Sequence, residues 1–186
     1  MAKSANILPA PKAVPLTVTN AELLDGQDDG AFREMVHNLL AFAARLEHIR
    51  SRFGALIGLT GIQYTILITI RHLENNSGVG VKTVAGHLSL SGAFVTIETS
   101  GLLKLGLIKK RPNPVDRRRV LLTVSPRGRQ LLSELSPVQQ EINDVLFSPL
   151  DRENFQALCR MSFQLRESAE EAVGLSNYLI AGQARG

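Results

Sequence analysis

Between Lys109 and Arg119, six cationic side chains fall in two runs of three, Lys109-Lys110-Arg111 and Arg117-Arg118-Arg119, with Asp116 beside the second run. A guanidinium is a planar fork of donors that fits paired phosphate oxygens, and it is flat enough to enter a narrow, electronegative groove. Asp116 would be repelled by phosphate, so its expected role is to orient a neighbouring arginine through a charge-assisted hydrogen bond. The charge is also segregated along the chain. Residues 1–80 hold seven Lys/Arg against seven Asp/Glu, residues 81–124 eight against two, and residues 125–186 six against eight, so a +6 block sits between flanks summing to −2. That pattern suits local phosphate binding, whereas general solubility requires no segregation. The bland alternative is a solvated hairpin whose charges guard a sheet edge.

Other reactive residues offer less. His37, His48, His72 and His87 lack i, i+4 spacing and a local cysteine partner, so no metal site is expected. The single Cys159 excludes an internal disulfide, and its place on an apolar helix face predicts a buried, inert thiol. There is no glycine-rich phosphate loop and no nucleophile with an evident base, so an enzyme is the least favoured reading and no cofactor is expected. With 44% hydrophobic and 20% charged residues the chain reads as a soluble globular protein. Its apolar runs, such as 66–70, are far shorter than the roughly 20 residues that span a bilayer. Pro9, Pro11 and Pro15 interrupt any secretory signal, so no membrane partner and a cytoplasmic location are expected.

The elements that must carry the cations can be read from periodicity and punctuation. Residues 1–27 form an extended arm. Apolar residues from Phe32 to Ile49, spaced by three and four, predict a long helix from about Asp28, whose acids suit a helix N-terminus; Gly54 and Gly58 bracket its end. Thr60 with Gln63 has the spacing of a capping box for a second helix reaching about Glu74, ended by Asn75 to Gly78. A short third helix, 81–88, and a fourth from Ser91 to about Leu105, closed by Gly106, make a helix-turn-helix. Strands 107–111 and 120–124 around Pro112-Asn113-Pro114 make a hairpin wing. Ser125 and Pro126 open a fifth helix, with a kink expected at Pro137, and a last helix follows Asp151. The fold class is mainly α with a small β-hairpin wing.

From Val81 to Leu132 the order of elements and the residues Val95-Thr96, Leu102, Gly106-Leu107-Ile108, Asp116-Arg117-Arg118, Leu122-Thr123 and Gly128 resemble the MarR family of bacterial winged helix-turn-helix regulators. The resemblance implies a homodimer whose first, fifth and sixth helices intertwine, presenting two reading heads to a palindromic operator in double-stranded DNA, about 34 Å apart. The corresponding domains are an arm (1–27), a helical dimerisation region (28–56 and 125–174), a winged helix-turn-helix (57–124) and a C-terminal tail (175–186). Cationic contacts to DNA fall to Lys82, Lys110, Arg111, Arg117, Arg118 and Arg119, with Asp116 orienting the wing.

The fourth helix departs from the family pattern. Gly92, Ala93 and Phe94 stand where Ser or Thr is frequent, Ile97 where Arg commonly follows the Val-Thr pair, and Ser100-Gly101 where charge is frequent. Ser91, Thr96 and Ser100 are left for polar base contacts, and Ala93 or Ile97 for thymine methyl groups; Phe94 is expected to pack in the core. The resemblance also implies a small-molecule effector, an aromatic anion, for which Arg45, Arg50, Arg52 and Arg71 could hold a carboxylate. His37 and His48, on nearly one face of the first helix, would line that cleft or flank the dimer seam, the seam being preferred. The leading reading is a ligand-relieved repressor; the alternative is a non-specific architectural DNA binder.

Overall fold

The computed structural model describes residues 14–183. These form two compact units, one ending at Leu131 and the other starting at Leu132. In the first lie a 3-10 turn (Ala21–Leu23), α1 (Gly30–Leu56), α2 (Gly61–Leu73), β1 (Val79–Gly80), α3 (Val81–His87), α4 (Gly92–Lys104), β2 (Ile108–Pro112) and β3 (Val120–Val124). Helix α5 (Pro126–Leu146) starts in the first unit and continues into the second, which also holds α6 (Arg152–Gln183). Mainly helical with a hairpin wing, the architecture is of the class that the sequence predicts.

Residues 1–13 of the expected arm lie outside the described residues, but its later part is fastened rather than loose. Asp29 precedes α1, yet its carboxylate does not cap the helix. It accepts from the backbone N–H and hydroxyl of Thr17, both at 2.7 Å, and from Arg33 Nε at 2.7 Å, while Arg33 also donates to the Pro15 carbonyl. Asp28, one residue before the N-cap, accepts from Gly30 N–H at 3.0 Å instead. Hydrogen bonds from Arg33 first, then from Thr17, hold the Asp29 carboxyl well below the usual carboxylate range, because all of them favour the ionised form.

The end of α1 is set by Gly58, at φ 74°, and not by Gly54, which stays inside the helix. A Cβ at Gly54 would lie 2.9 Å from the Thr60 carbonyl oxygen, so the missing side chain serves close packing of α1 on the next turn. Thr60 and Gln63 form the reciprocal capping box, with bonds of 3.2 and 3.3 Å. Helix α2 then supplies the centre of the core: Tyr64, Ile66, Leu67 and Ile70 are buried, against Val84 of α3, Val95 and Leu102 of α4, and Leu122 of β3.

The sheet has order β1-β3-β2 and is antiparallel throughout, with Ile108 paired to Val124 and Pro112 to Val120. Strand β1 is an element that periodicity misses, because two residues carry no pattern. It pairs Val79 with Leu122, and Gly78, at φ 80°, lets the chain pass within contact of the Leu122 carbonyl. Gly106, at φ 70°, closes α4 in the left-handed region. Ser125 starts α5 by accepting from Gly128 N–H at 3.0 Å while donating to the Gly106 carbonyl at 2.6 Å.

The far end of the chain departs from expectation in two places. The tail assigned to 175–186 is helical as far as Gln183, since Leu175, Tyr178 and Leu179 extend the apolar periodicity past Gly174. Residues 184–186 lie outside the described residues. Cys159, expected to be buried, is exposed, because α6 has no buried residue at all. Helix α5 is continuous through Pro137. Among the described residues no single helix is long and apolar enough to cross a membrane.

Candidate nucleic-acid interface

Helix α4 buries Val95, Thr99 and Leu102 and leaves the face carrying Ala93, Thr96, Ile97 and Ser100 to solvent. Ser91 is its N-cap, accepting from Phe94 N–H at 3.1 Å. Phe94, expected to pack in the core, is instead 38% exposed, since its position in the first turn falls between the buried face and solvent.

Two further hydroxyls are turned back on the helix. Thr96 Oγ1 donates to the Gly92 carbonyl and Ser100 Oγ to the Thr96 carbonyl, both at 2.8 Å. The three polar residues on this face thus already serve the helix, and in this arrangement Thr96 and Ser100 offer acceptor lone pairs more readily than protons. Ile97, 68% exposed, is a large apolar side chain presented to solvent at the centre of the same face.

The wing adds the charge. A cleft of about 650 Å³ is lined by Lys82 at the start of α3, Thr96 of α4, and Lys110, Arg118 and Arg119 of the hairpin. Five residues from three separate stretches of sequence therefore share one concavity. Asp116 pairs with Arg119 at 3.1 Å and accepts from Arg118 N–H at 3.1 Å, so one carboxylate fixes both the turn and one guanidinium. Asn113 tightens the loop further, its side chain accepting from Val115 N–H at 2.9 Å. Arg117 is exposed in the hairpin loop and lines no part of that cleft; Ser91, Ala93, Ile97 and Ser100 stand outside it on the open face of α4. Arg111 points elsewhere, into a second cleft with Arg71 and Lys109.

The residues expected to hold an effector are not brought together. Arg50 lines a cleft of about 370 Å³ with Thr65, Ile68, Thr69, His72 and His87. Its Nε donates to Thr65 Oγ1 at 3.1 Å, and its guanidinium stands 5.8 Å from the centre of the Tyr64 ring. Arg71 belongs to the other cleft. His37, Arg45 and His48 line neither, and Arg45 donates to the Ala41 carbonyl of its own helix. His72 and His87, which lie on different helices, have ring centres 5.9 Å apart. Among the described residues no group of three or more His, Cys, Asp or Glu is placed to hold a metal ion.

Comparison with known proteins finds likenesses in sequence and in fold. No family model matches the chain. A relative in Bacillus subtilis, the uncharacterized HTH-type transcriptional regulator YdcH, is 26% identical over 99 residues, 52% of this chain and 67% of its own. The solved structure of a MarR mutant from E. coli complexed with operator DNA superimposes with a TM-score of 0.58 at 17% identity, covering 71% of this chain and 93% of that one. BpsR of Bordetella bronchiseptica, whose DNA binding is regulated by 6-hydroxynicotinic acid, gives 0.56 at 23% identity over 71% and 98%. The chain therefore has the winged helix-turn-helix fold of the MarR regulators.

Proposed function

We propose that this chain is a DNA-binding transcriptional regulator of the MarR type, acting as a homodimeric repressor that a small anionic ligand releases from its operator. The observation that carries the reading is the single concavity in which Lys82, Thr96, Lys110, Arg118 and Arg119 meet beside the open face of α4. Helix and wing present donors to a groove and to its phosphate rails, while Ala93 and Ile97 offer apolar contact to thymine methyl groups. Two reading heads require two chains. Exposed apolar residues, Leu39 and Leu40 on α1 and Phe155 and Leu165 on α6, offer each of these helices to a second copy.

The effector reading rests on the cleft around Arg50, a cation beside apolar Ile68 and Leu88 and the rings of His72 and His87, with Glu47 of the same cleft 3.9 Å from the Arg50 Nε. Its size suits a small aromatic acid, and the regulation of BpsR by 6-hydroxynicotinic acid supports that class. A ligand that prefers the non-binding state lowers DNA affinity by its differential affinity for the two states.

The test is a mobility-shift titration of the full chain with the DNA flanking its own gene, repeated against unrelated competitor. A specific regulator holds the flanking DNA against a large excess of competitor. Equal displacement by both DNAs would favour the architectural alternative, for which the thinned polar set of α4 is the supporting observation. No shift at low salt would overturn DNA binding itself.

A further inference from the structure

The first unit contains another cleft, of about 720 Å³, which shares only Lys110 with the concavity proposed to meet DNA. Its walls carry Arg71, Lys109, Lys110, Arg111 and Arg129, with Glu74 as the one acid, an excess of four positive charges. Glu74 is fully engaged: its carboxylate, 4% exposed, accepts from Arg129 at 2.7 Å, from Arg71 at 3.5 Å and from Val124 N–H at 2.8 Å. That leaves one negative charge for two guanidiniums. Lys109, Lys110 and Arg111 form no ion pair among the described residues. Arg111 is steadied along the wall by donating to the Asn76 carbonyl at 3.3 Å. The first turn of α5, at Pro126, also faces the cleft, and the positive end of a helix dipole adds to the same field.

We propose that this cleft binds a small organic phosphate. The buried Glu74 holds Arg129 at 2.7 Å and meets Arg71 at 3.5 Å before any ligand arrives, so part of the ordering cost of binding is already met. A phosphate monoester, carrying nearly two negative charges, answers the surplus better than a single carboxylate does. The volume lies within the range of small-molecule sites. One wall is the wing strand β2 and another the start of α5, so occupancy would bear on the wing that the proposed DNA interface uses.

The experiment is isothermal titration calorimetry of the full chain with inorganic pyrophosphate, ionic strength held constant with sodium chloride and no DNA present. Saturable binding is expected, weakened at least about tenfold in the Lys109→Gln/Arg111→Gln double variant. Both positions are exposed and leave the Glu74 network intact, so an unchanged melting temperature without pyrophosphate shows that the variant folds. Lys104→Gln, which removes a charge from the end of α4 that lines no part of the cleft, should bind pyrophosphate normally. Absence of saturable binding, undiminished binding by the double variant, or an equal loss in Lys104→Gln would each overturn the site. The measurement is independent of the DNA reading: a chain that binds pyrophosphate but no DNA would defeat that reading and leave this one standing.

Discussion

Single side chains of this molecule do opposite work with the same chemistry. Arg119 is held by Asp116, whereas Arg118 lines the same cleft and forms no side-chain ion pair among the described residues, so Arg118 is the guanidinium freer to meet a phosphate. Arg118→Ala should weaken binding to all DNA sequences alike and make the logarithm of affinity less steep against the logarithm of salt, by about one unit per lost phosphate contact. Fluorescence anisotropy across a salt series measures this, and a loss confined to one sequence would contradict the assignment. Asp29 is the reverse case, an acid whose charge is consumed inside the fold. Its carboxyl titrates below the ordinary range when folded, so its stabilising effect is complete above the unfolded value near about 4 and fades only as pH falls below it. Asp29→Asn should therefore melt lower than the parent chain by a constant margin at neutral pH, and the margin should shrink under acid. A margin that vanished at pH 6 would place the effect elsewhere.

At the scale of elements, the fold depends on a junction where four segments meet. Gly128, in the first turn of α5, would bring an added Cβ to 2.2 Å from the Leu107 carbonyl oxygen and 2.8 Å from Val124 Cγ1, and both neighbours are fixed in the core. Gly128→Ala should cost about 3 kcal/mol or more in chemical denaturation, the upper range for overpacking, because backbone cannot yield as a flexible side chain would. Glu74→Ala at the same junction should cost about 2 kcal/mol by unmaking the bonds to Arg129 and Val124. These two residues mark the boundary of what the sequence discloses. The capping box of Thr60, the Gly106 stop and the Ser125 cap are legible because each is completed within a few residues. So is the wing, whose cations are adjacent in the chain. Glu74 reaches Val124 across fifty positions, β1 finds its partner across more than forty, and His72 meets His87 from another helix. No local pattern encodes those meetings, which is why Lys82 and Thr96 are legible as separate candidates while the concavity they share with the wing is not.

For the whole molecule, the decisive quantity is the apolar surface that one chain leaves in water. Helix α6 runs 32 residues with none buried, and Phe155, Met161, Phe163, Leu165, Leu175, Tyr178 and Ile180 are all at least half exposed. In α1, Leu39 and Leu40 are exposed as well. A helix without tertiary burial draws only on its own marginal propensity, and this many exposed apolar side chains on one helix mark an association site. At about 25 cal/mol per Å², burying a few of these side chains against a second copy stabilises each helix by several kcal/mol. The chain should therefore sediment at twice its monomer mass at micromolar concentration, with a melting temperature that rises with protein concentration. Replacing Phe163 and Leu165 by Glu adds two charges to that surface without touching the described core. It should shift the mass towards the monomer and lower DNA affinity by more than tenfold, since one reading head then loses the second head's contribution. A variant that stays dimeric with unaltered DNA affinity would show that α6 is not the surface on which the two copies meet.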